Sequence, residues 1–344
     1  MSDSDRTVLV TGGAGYIGST LTRKLLDRGY EVKVLDRFFF GEESLEEVIE
    51  KENLELIRGD VRYFDPEILE GVDVVMDLAA LSNDPAGELD PDKTWDINYL
   101  GRARVAKLAK LKGVNRYIQA STCSTYGHQE GMADEESEVN PLTTYAKAHR
   151  KLEKEVLPMA DEDFSVTCLR QATVYGASNR MRFDLAINAM TNAIYEDGEL
   201  GIMRDGTQWR PFVHVKDTAR AFIEVSEADE ETVSGEIFNV GSNEQNFQIK
   251  PLAEMIMESF DFEVGWEWYG DPDDRSYKVD FTKIREKIGF EPRHTPADAA
   301  MEIYQLLQHG ELKKTEKTST VGWYKKLLSS EELLEDKRHE PRLL

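Results

Sequence analysis

The sequence Val8-Leu9-Val10-Thr11-Gly12-Gly13-Ala14-Gly15-Tyr16-Ile17-Gly18 decides the fold prediction. A short apolar run typical of a buried strand leads into spaced glycines, and a helical pattern follows. Gly12 permits a tight turn, Gly15 lets a ligand approach the backbone, and Gly18 lets helix and strand pack closely. Free N–H groups at the start of such a helix attract phosphate. The stretch therefore predicts a strand, a loop for the pyrophosphate of a dinucleotide that includes Tyr16 and Ile17, and a helix.

An acidic residue follows this loop at the end of the next predicted strand. Asp36 lies 18 residues after Gly18, where a carboxylate accepts hydrogen bonds from the adenosine ribose and repels a 2′-phosphate. This favours NAD over NADP as the cofactor. Arg37 complicates the assignment, because an arginine there can hold the extra phosphate. The alternative for Asp36 is an ordinary turn residue at a strand end.

Alternating strand and helix patterns continue through the first half of the chain. They predict an α/β fold with a doubly wound parallel sheet, of the Rossmann type, and a smaller C-terminal substrate-binding lobe. We expect an NAD-binding domain over residues 1–170, the lobe mainly over 171–310, with segments able to return to the sheet, and a charged tail over 311–344. The predicted strands of the sheet are 8–10, 32–35, 54–57, 72–76, 117–120 and 166–169.

Composition excludes several classes of protein. The 344 residues include 42 basic and 66 acidic side chains, a net charge of −24, so neither nucleic acid nor an anionic membrane surface is expected as a partner. The acidity serves either solubility or life in a salty cytoplasm. Two cysteines, Cys123 and Cys168, form no disulfide framework, and no signal-peptide pattern or metal-ligand spacing occurs. We therefore expect a cytoplasmic protein without a metal.

Six motifs together resemble the extended short-chain dehydrogenase/reductase family, in its nucleotide-sugar epimerase/dehydratase branch. Besides the glycine loop they are Gly59-Asp60-Val61, Leu78-Ala79-Ala80, the run from Ser121-Thr122 to Tyr126-Gly127, Tyr145 opening a helix, and Arg210-Pro211-Phe212-Val213-His214-Val215. The resemblance implies that Asp60 and Val61 flank the adenine. It also implies that Leu78, Ala79 and Ala80 line the cofactor cleft, that Asn98 supports the active-site helix, and that the protein is a homodimer.

The resemblance also implies the catalytic residues, with one departure. Thr122 matches a residue that bonds the reacting sugar hydroxyl, and Tyr145 matches the acid/base tyrosine, but His149 stands where the family has lysine. On a helix, His149 shares a face with Tyr145 because it lies four residues later, whereas Lys147, two residues later, points away. A mostly neutral histidine can bond a ribose hydroxyl but helps a tyrosine ionise less than an ammonium does. We expect activity to rise above about pH 8, and His149→Lys to move that rise to lower pH.

The residues after Thr122 narrow the reaction. The family's dehydratases have Asp and Glu there and its decarboxylases keep the Glu, whereas this chain has Cys123 and Ser124. The prediction is an NAD-dependent nucleotide-sugar epimerase that oxidises a ring carbinol transiently. The alternatives are a nucleotide-sugar dehydrogenase or keto-sugar reductase, or a non-catalytic NAD-binding sensor. Cys123 is either a small packed residue or a second base.

An acidic protein that binds a nucleotide-diphosphate sugar must gather arginines locally. By resemblance, Arg210 and Arg275 clamp the diphosphate and Asn188 touches the phosphates or the sugar. Each of these arginines has a surface ion pair as its alternative role. The remaining predicted substrate contacts are Arg182, Ser82 and Asn83, and the alternative role for Ser82 and Asn83 is a loop turn.

Overall fold

The computed structural model describes residues 6–271 and 275–335. A seven-stranded sheet forms its centre, in the order β3-β2-β1-β4-β5-β7-β11, and every neighbouring pair is parallel. These strands are β1 (Thr7–Thr11), β2 (Glu31–Asp36), β3 (Leu54–Arg58), β4 (Val74–Asp77), β5 (Arg116–Thr122), β7 (Ser165–Gln171) and β11 (Glu236–Val240). The predicted doubly wound parallel sheet is confirmed.

Alternate side chains of the strands enter two cores, one on each face of the sheet. On β1, Val8 and Val10 face one core and Leu9 faces the other, all with 0% exposure. Such burial on both faces explains why the strands read as continuous apolar runs. The first core includes side chains of helices α1 (Tyr16–Asp27) and α7 (Val215–Glu227), and the second those of α4 (Arg102–Leu111) and α5 (Thr144–Val156).

The remaining strands of the described residues form three smaller sheets. Phe212, Leu252 and Ile256 belong to an apolar cluster separate from the two cores of the large sheet. The other helices are α2 (Asp84–Gly87), α3 (Pro91–Trp95), α6 (Ala186–Asp197), α8 (Glu230–Val233), α9 (Ile249–Glu258), α10 (Thr282–Ile288), α11 (Pro296–Gln308) and α12 (Thr320–Glu335), with a π-helical stretch at Asp96–Gly101. The other strands are β6 (His128–Ala133), β8 (Thr173–Tyr175), β9 (Glu199–Met203), β10 (Trp209–His214), β12 (Asn246–Gln248), β13 (Gly265–Tyr269) and β14 (Ser276–Val279).

Helix α12 lies within the segment whose composition predicted a charged tail. The indole N–H of Trp323 donates to the carbonyl of Phe39 at 2.7 Å, and the ring of Tyr324 packs 5.4 Å from that of Phe40. The helix therefore docks on the loop that follows β2. Residues 336–344, the end of the predicted tail, lie outside the described residues.

The order of the strands fixes where a ligand can bind. Connections from β1 lead to β2 on one side, whereas the chain returns to β4 on the other side of β1. In sheets of this kind the crevice at the carboxyl ends of the two strands is the binding site. No helix in the described residues is long and apolar enough to cross a membrane.

Candidate active site

The glycine loop closes the crevice at the end of β1. Gly12 has a φ of +70°, and a Cβ there would lie 2.9 Å from the backbone of Ala79. A Cβ on Gly18 would lie 2.1 Å from the Gly12 carbonyl oxygen, so only glycine allows this packing. Gly15 precedes the first turn of α1 without a side-chain cap. The first N–H groups of the helix are therefore available to an anion.

Asp36 ends β2 beside this loop. Its carboxylate accepts hydrogen bonds from the backbone N–H groups of Ala14, at 3.0 Å, and Phe38, at 2.7 Å. Burial raises the pKa of Asp36, and these N–H groups oppose the shift. The Arg37 guanidinium pairs with Asp60 at 2.9 Å, but Arg62 pairs with the same carboxylate at 2.7 Å, so one carboxylate serves two arginines. The preference for an adenosine ribose without a 2′-phosphate therefore rests on the Asp36 carboxylate.

One cleft contains most of the predicted cofactor residues. The described residues that line it include Gly12, Gly15, Tyr16, Ile17, Gly18, Asp36, Arg37, Asp60, Val61, Leu78, Ala79, Ala80, Tyr145 and His149. Asn98 is not among them. Its side chain bonds the backbone N–H of Leu81 at 2.8 Å and the carbonyl of Leu81 at 3.0 Å, and so holds the loop after β4.

Thr122 and Tyr145 meet in the same cleft. Thr122 ends β5 and its hydroxyl accepts the N–H of Ser124 at 3.1 Å, while Tyr145 lies in the first turn of α5. Burial raises the pKa of Tyr145 to about 12; the charge of Asp84 adds to this effect, and the charge of Arg102 and a hydrogen bond with Thr122 oppose it. The phenol therefore needs a nearby positive charge to ionise near neutral pH.

His149 lies one turn further along α5, as predicted. Its ring centre is 4.4 Å from that of Tyr145, and its side chain is 2% exposed. Burial and the charge of Arg102 hold the pKa of His149 well below its usual value. The positive charge near this position therefore belongs to Arg102, which the sequence analysis did not single out.

The two side chains after Thr122 point in different directions. The Cys123 thiol contacts the carbonyl of Arg170 at 3.2 Å in the core, and burial raises its pKa well above the usual value. Ser124 lines the cleft, 3.3 Å from a carboxylate oxygen of Asp84. Asp84 also pairs with Arg275 at 2.5 Å, so its charge is partly compensated. The thiol therefore has the surroundings of a packed residue.

Comparison with known proteins agrees with this geometry. Residues 8–241 match the family described as "NAD dependent epimerase/dehydratase family". The chain belongs to the NAD-dependent epimerase/dehydratase family. This confirms the resemblance and NAD as the predicted cofactor.

Curated relatives of this epimerase/dehydratase chain include enzymes of more than one activity. A UDP-glucose 4-epimerase of Lactobacillus helveticus is 30% identical over 315 residues, covering 85% of this chain and 93% of the relative. UDP-glucuronic acid decarboxylase 1 of Xenopus tropicalis is 30% identical over 303 residues, covering 85% and 70%. The solved structure "MoeE5 in complex with UDP-glucuronic acid and NAD" is 27% identical with a TM-score of 0.78, covering 88% of this chain and 99% of that one.

The predicted substrate residues of this family member are divided between the cleft and its surroundings. Ser82, Asn83 and Arg182 line the cleft, and Arg182 donates to Asp184 at 3.0 Å and to the Ser82 hydroxyl at 3.2 Å. Asn188 is fully buried outside it. Its amide donates to the Tyr16 hydroxyl at 3.0 Å and accepts the N–H of Gly176 at 2.9 Å, so it connects α6 with the start of α1.

Arg210 and Arg275 lie next to each other beside the cleft rather than among its lining residues. Arg210 donates to the carbonyl of Arg275, and its guanidinium lies 5.3 Å from the ring centre of Tyr277. Tyr277 itself lines the cleft. Tyr277 thus connects Arg210 with the site, and the ion pair with Asp84, which lines the cleft, connects Arg275 with it.

Arg180 is a cleft residue that the sequence analysis missed. It is 7% exposed, donates to the Thr320 hydroxyl at 3.0 Å and stacks 3.5 Å from the ring centre of Phe40. Its buried Nε has no hydrogen-bond partner among the described residues. Burial, followed by the charge of Arg182, lowers the pKa of Arg180 to about 10. A cation in this state favours an anionic ligand.

Across residues 6–271 and 275–335, no group of three or more His, Cys, Asp or Glu side chains could hold a metal ion.

Proposed function

We propose that this protein is an NAD-dependent nucleotide-sugar epimerase. The observation that carries the proposal is the Thr122–Tyr145 pair beside the cofactor loop. The two positions after Thr122 hold Cys123 and Ser124, and neither is a carboxylate. A dehydratase or decarboxylase needs a further acid or base there. Similarity to a UDP-glucose 4-epimerase over most of the chain supports the same reaction class.

Tyr145 and Thr122 would have different roles in proton transfer. Tyr145, as a phenolate, takes the proton of a ring hydroxyl, while the Thr122 hydroxyl bonds the same oxygen and orients it. NAD, when bound, supplies the acceptor for the hydride of that carbon and gives the hydride back. After the keto-sugar has presented its other face, the Tyr145 phenol would return its proton to the same exocyclic oxygen as the carbon regains its hydride. No net oxidation results, and the cofactor is regenerated.

The substrate class follows from the charges around the cleft. Arg182 lines it, and Arg210 and Arg275 lie beside it next to Tyr277. A protein with a net charge of −24 needs such local cations to bind a diphosphate. We therefore propose a nucleotide-diphosphate sugar as the substrate, with Arg180 assigned to the pyrophosphate of NAD.

A non-catalytic NAD-binding sensor is the second candidate. It is favoured by the raised pKa of Tyr145, about 12, and by the uncharged state that burial imposes on His149. For both reasons, the Tyr145 phenolate is harder to form than it would be beside an ammonium. A dehydrogenase or keto-sugar reductase would use the same residues and release altered cofactor.

The deciding experiment incubates the purified protein with a panel of nucleotide sugars, with and without added NAD. An epimer formed without net NADH is the expected result. Stoichiometric NADH would instead assign a dehydrogenase, and NAD binding without any product would assign a sensor. Tyr145→Phe is the matched control, because it should bind NAD and give no product.

We also propose a homodimer formed by the α4 and α5 region. Leu100 lies just before α4 and Leu111 ends it, and these residues are 55% and 80% exposed, so an interface here would bury apolar surface. Light scattering at several concentrations tests this. A monomer at all concentrations would contradict it.

A further inference from the structure

The two ring nitrogens of His149 have different surroundings. Nδ1 lies 3.2 Å from Nη1 of Arg102. Nε2 is buried and has no hydrogen-bond partner among the described residues, although His149 lines the cofactor cleft. A buried ring nitrogen with no partner is costly, and here the cleft is the place where a partner can bind.

The Arg102 guanidinium is fixed by its neighbours and can act toward His149 only as a hydrogen-bond donor. The guanidinium is fully buried and donates through Nε to the Asp77 carboxylate at 2.7 Å, and through Nη2 to the carbonyls of Asp77 at 2.7 Å and Ala120 at 2.8 Å. Asp77 also accepts the hydroxyls of Thr11 and Tyr117, both at 2.5 Å. Since arginine stays protonated in proteins, its Nη1 cannot accept.

The tautomer of His149 follows from this arrangement. Toward Arg102, Nδ1 can only accept, which places the single proton of the neutral ring on Nε2. The competing tautomer has a ring N–H that donates to the carbonyl of Ala120, which also bonds His149 but already accepts from Arg102 at 2.8 Å. A second proton would create two buried cations 3.2 Å apart. The charged or titratable groups near the ring are Arg102, from α4, and Tyr145, from the same helix, with Asp77 behind Arg102.

We propose that Arg102 and His149 act as a pair in place of the single family lysine. Arg102 is a positioning residue that fixes the Nε2–H tautomer and supplies a permanent charge behind the ring. His149 donates its Nε2–H to a ribose hydroxyl of NAD. The charge of Arg102 also reaches Tyr145, whose pKa it lowers. This inference rests on the proposed function only in assigning the pair to a reaction.

The first test measures the tautomer directly in the full chain. Protein labelled with ¹⁵N-histidine is titrated by NMR, with and without NAD, and the His149 signals among the six histidines are assigned by their loss in His149→Gln. We expect a protonated Nε2 and an unprotonated Nδ1 that stay unchanged from pH 8 down to about 5.5. A protonated Nδ1, or a ring that gains charge above about pH 6, overturns the proposal.

The second test separates the donor role from packing. A glutamine amide can accept from Arg102 and donate to the cofactor, so His149→Gln should keep NAD affinity within about threefold. His149→Leu keeps bulk without polar groups and should weaken NAD at least about tenfold. Lys147→Gln, on the exposed side of α5, is the control and should bind as the parent does. Parental affinity in His149→Leu overturns the donor role.

The third test concerns Arg102. Arg102→Lys keeps a cation for Asp77 but loses the planar fork of donors, so the His149 ring should become a mixture of both tautomers. A spectrum identical to that of the parent overturns the positioning role. If this variant does not fold, the tautomer of the parent still decides the proposal. None of these readouts needs a substrate, so a protein that passes them but forms no epimer contradicts only the proposed function.

Discussion

Replacing Arg180 with glutamine should change stability and cofactor binding in opposite directions. The pKa of this guanidinium falls from its usual 12.5 to about 10, mainly through burial, which corresponds to about 3 kcal/mol of unfavourable free energy for the charged form. Stacking on Phe40 and the bond to Thr320 return about 1–2 kcal/mol. Without NAD, Arg180→Gln should therefore unfold with an unchanged free energy, or one higher by up to about 2 kcal/mol.

NAD should bind this variant more weakly. Loss of a charge-assisted bond to a mostly buried phosphate costs about 2–4 kcal/mol, or about 30- to 1000-fold in Kd. Calorimetric titration of NAD into cofactor-free protein measures the binding, and urea denaturation without NAD measures the stability. Glutamine retains most of the stem and a donor, so the comparison isolates the charge.

Arg182→Gln is the matched control for Arg180→Gln. Arg182 pairs with Asp184 at 3.0 Å, and its removal leaves a largely buried carboxylate without its cation. This control should lower the unfolding free energy by about 3 kcal/mol. If Arg180→Gln instead destabilises the protein by more than about 1 kcal/mol and leaves NAD affinity unchanged, Arg180 is a structural residue and the reasoning is refuted.

Four other outcomes follow from the site. Only the phenolate of Tyr145 accepts a proton, and burial raises the pKa of this side chain to about 12. The value of kcat/KM should therefore rise up to about tenfold per pH unit between about pH 6 and 9, and a flat profile would contradict this. Tyr145→Phe should bind NAD without turnover. NAD should bind at least about tenfold more tightly than NADP, about 1.4 kcal/mol, and Asp36→Asn should reduce this ratio in paired titrations. Arg210→Ala should weaken nucleotide-sugar binding by about 2–4 kcal/mol while NAD affinity stays the same; equal loss for both ligands would remove it from the substrate site. His149→Lys should lower the unfolding free energy by about 1–3 kcal/mol, because it adds an ammonium beside Arg102, and an unchanged melting curve would speak against that contact.

The surroundings of His149 change the expected effect of His149→Lys. From the sequence, a lysine at this position should lower the pH at which Tyr145 ionises. The fully buried Arg102, 3.2 Å from the ring, occupies the region where the new charge would lie. Repulsion between two desolvated cations is expected to outweigh any help to the tyrosine.

The parts of the site that local sequence could predict are those fixed by local geometry. At Gly12 and Gly18 a side chain would clash with nearby backbone, so only glycine fits. Asp36 lies in the cleft because it is the last residue of its strand. Arg102 and Arg180 act through residues distant in the chain, Asp77 with His149 and Phe40 with Thr320. No spacing rule connects such residues, so only the folded structure brings their roles to light.

Helix α12 was hidden from the sequence analysis for a related reason. Its sequence mixes five charged side chains with apolar ones and has no pronounced apolar face. Tyr324 packs on Phe40 and the Trp323 indole bonds the Phe39 carbonyl. A charged, weakly periodic helix of this type is stabilised by docking rather than by its own pattern.

The docked helix α12 bears on how long a cofactor molecule stays in the protein. Tyr324 and Asp36 both line the cleft, and Thr320 holds Arg180, so we expect release of NAD to require that these contacts open. Slow opening lengthens the residence time of the cofactor. A catalyst that restores its cofactor within each cycle loses no throughput to such a closure. One that must discard reduced cofactor after every cycle would be limited by it, and for that enzyme the helix would be a handicap.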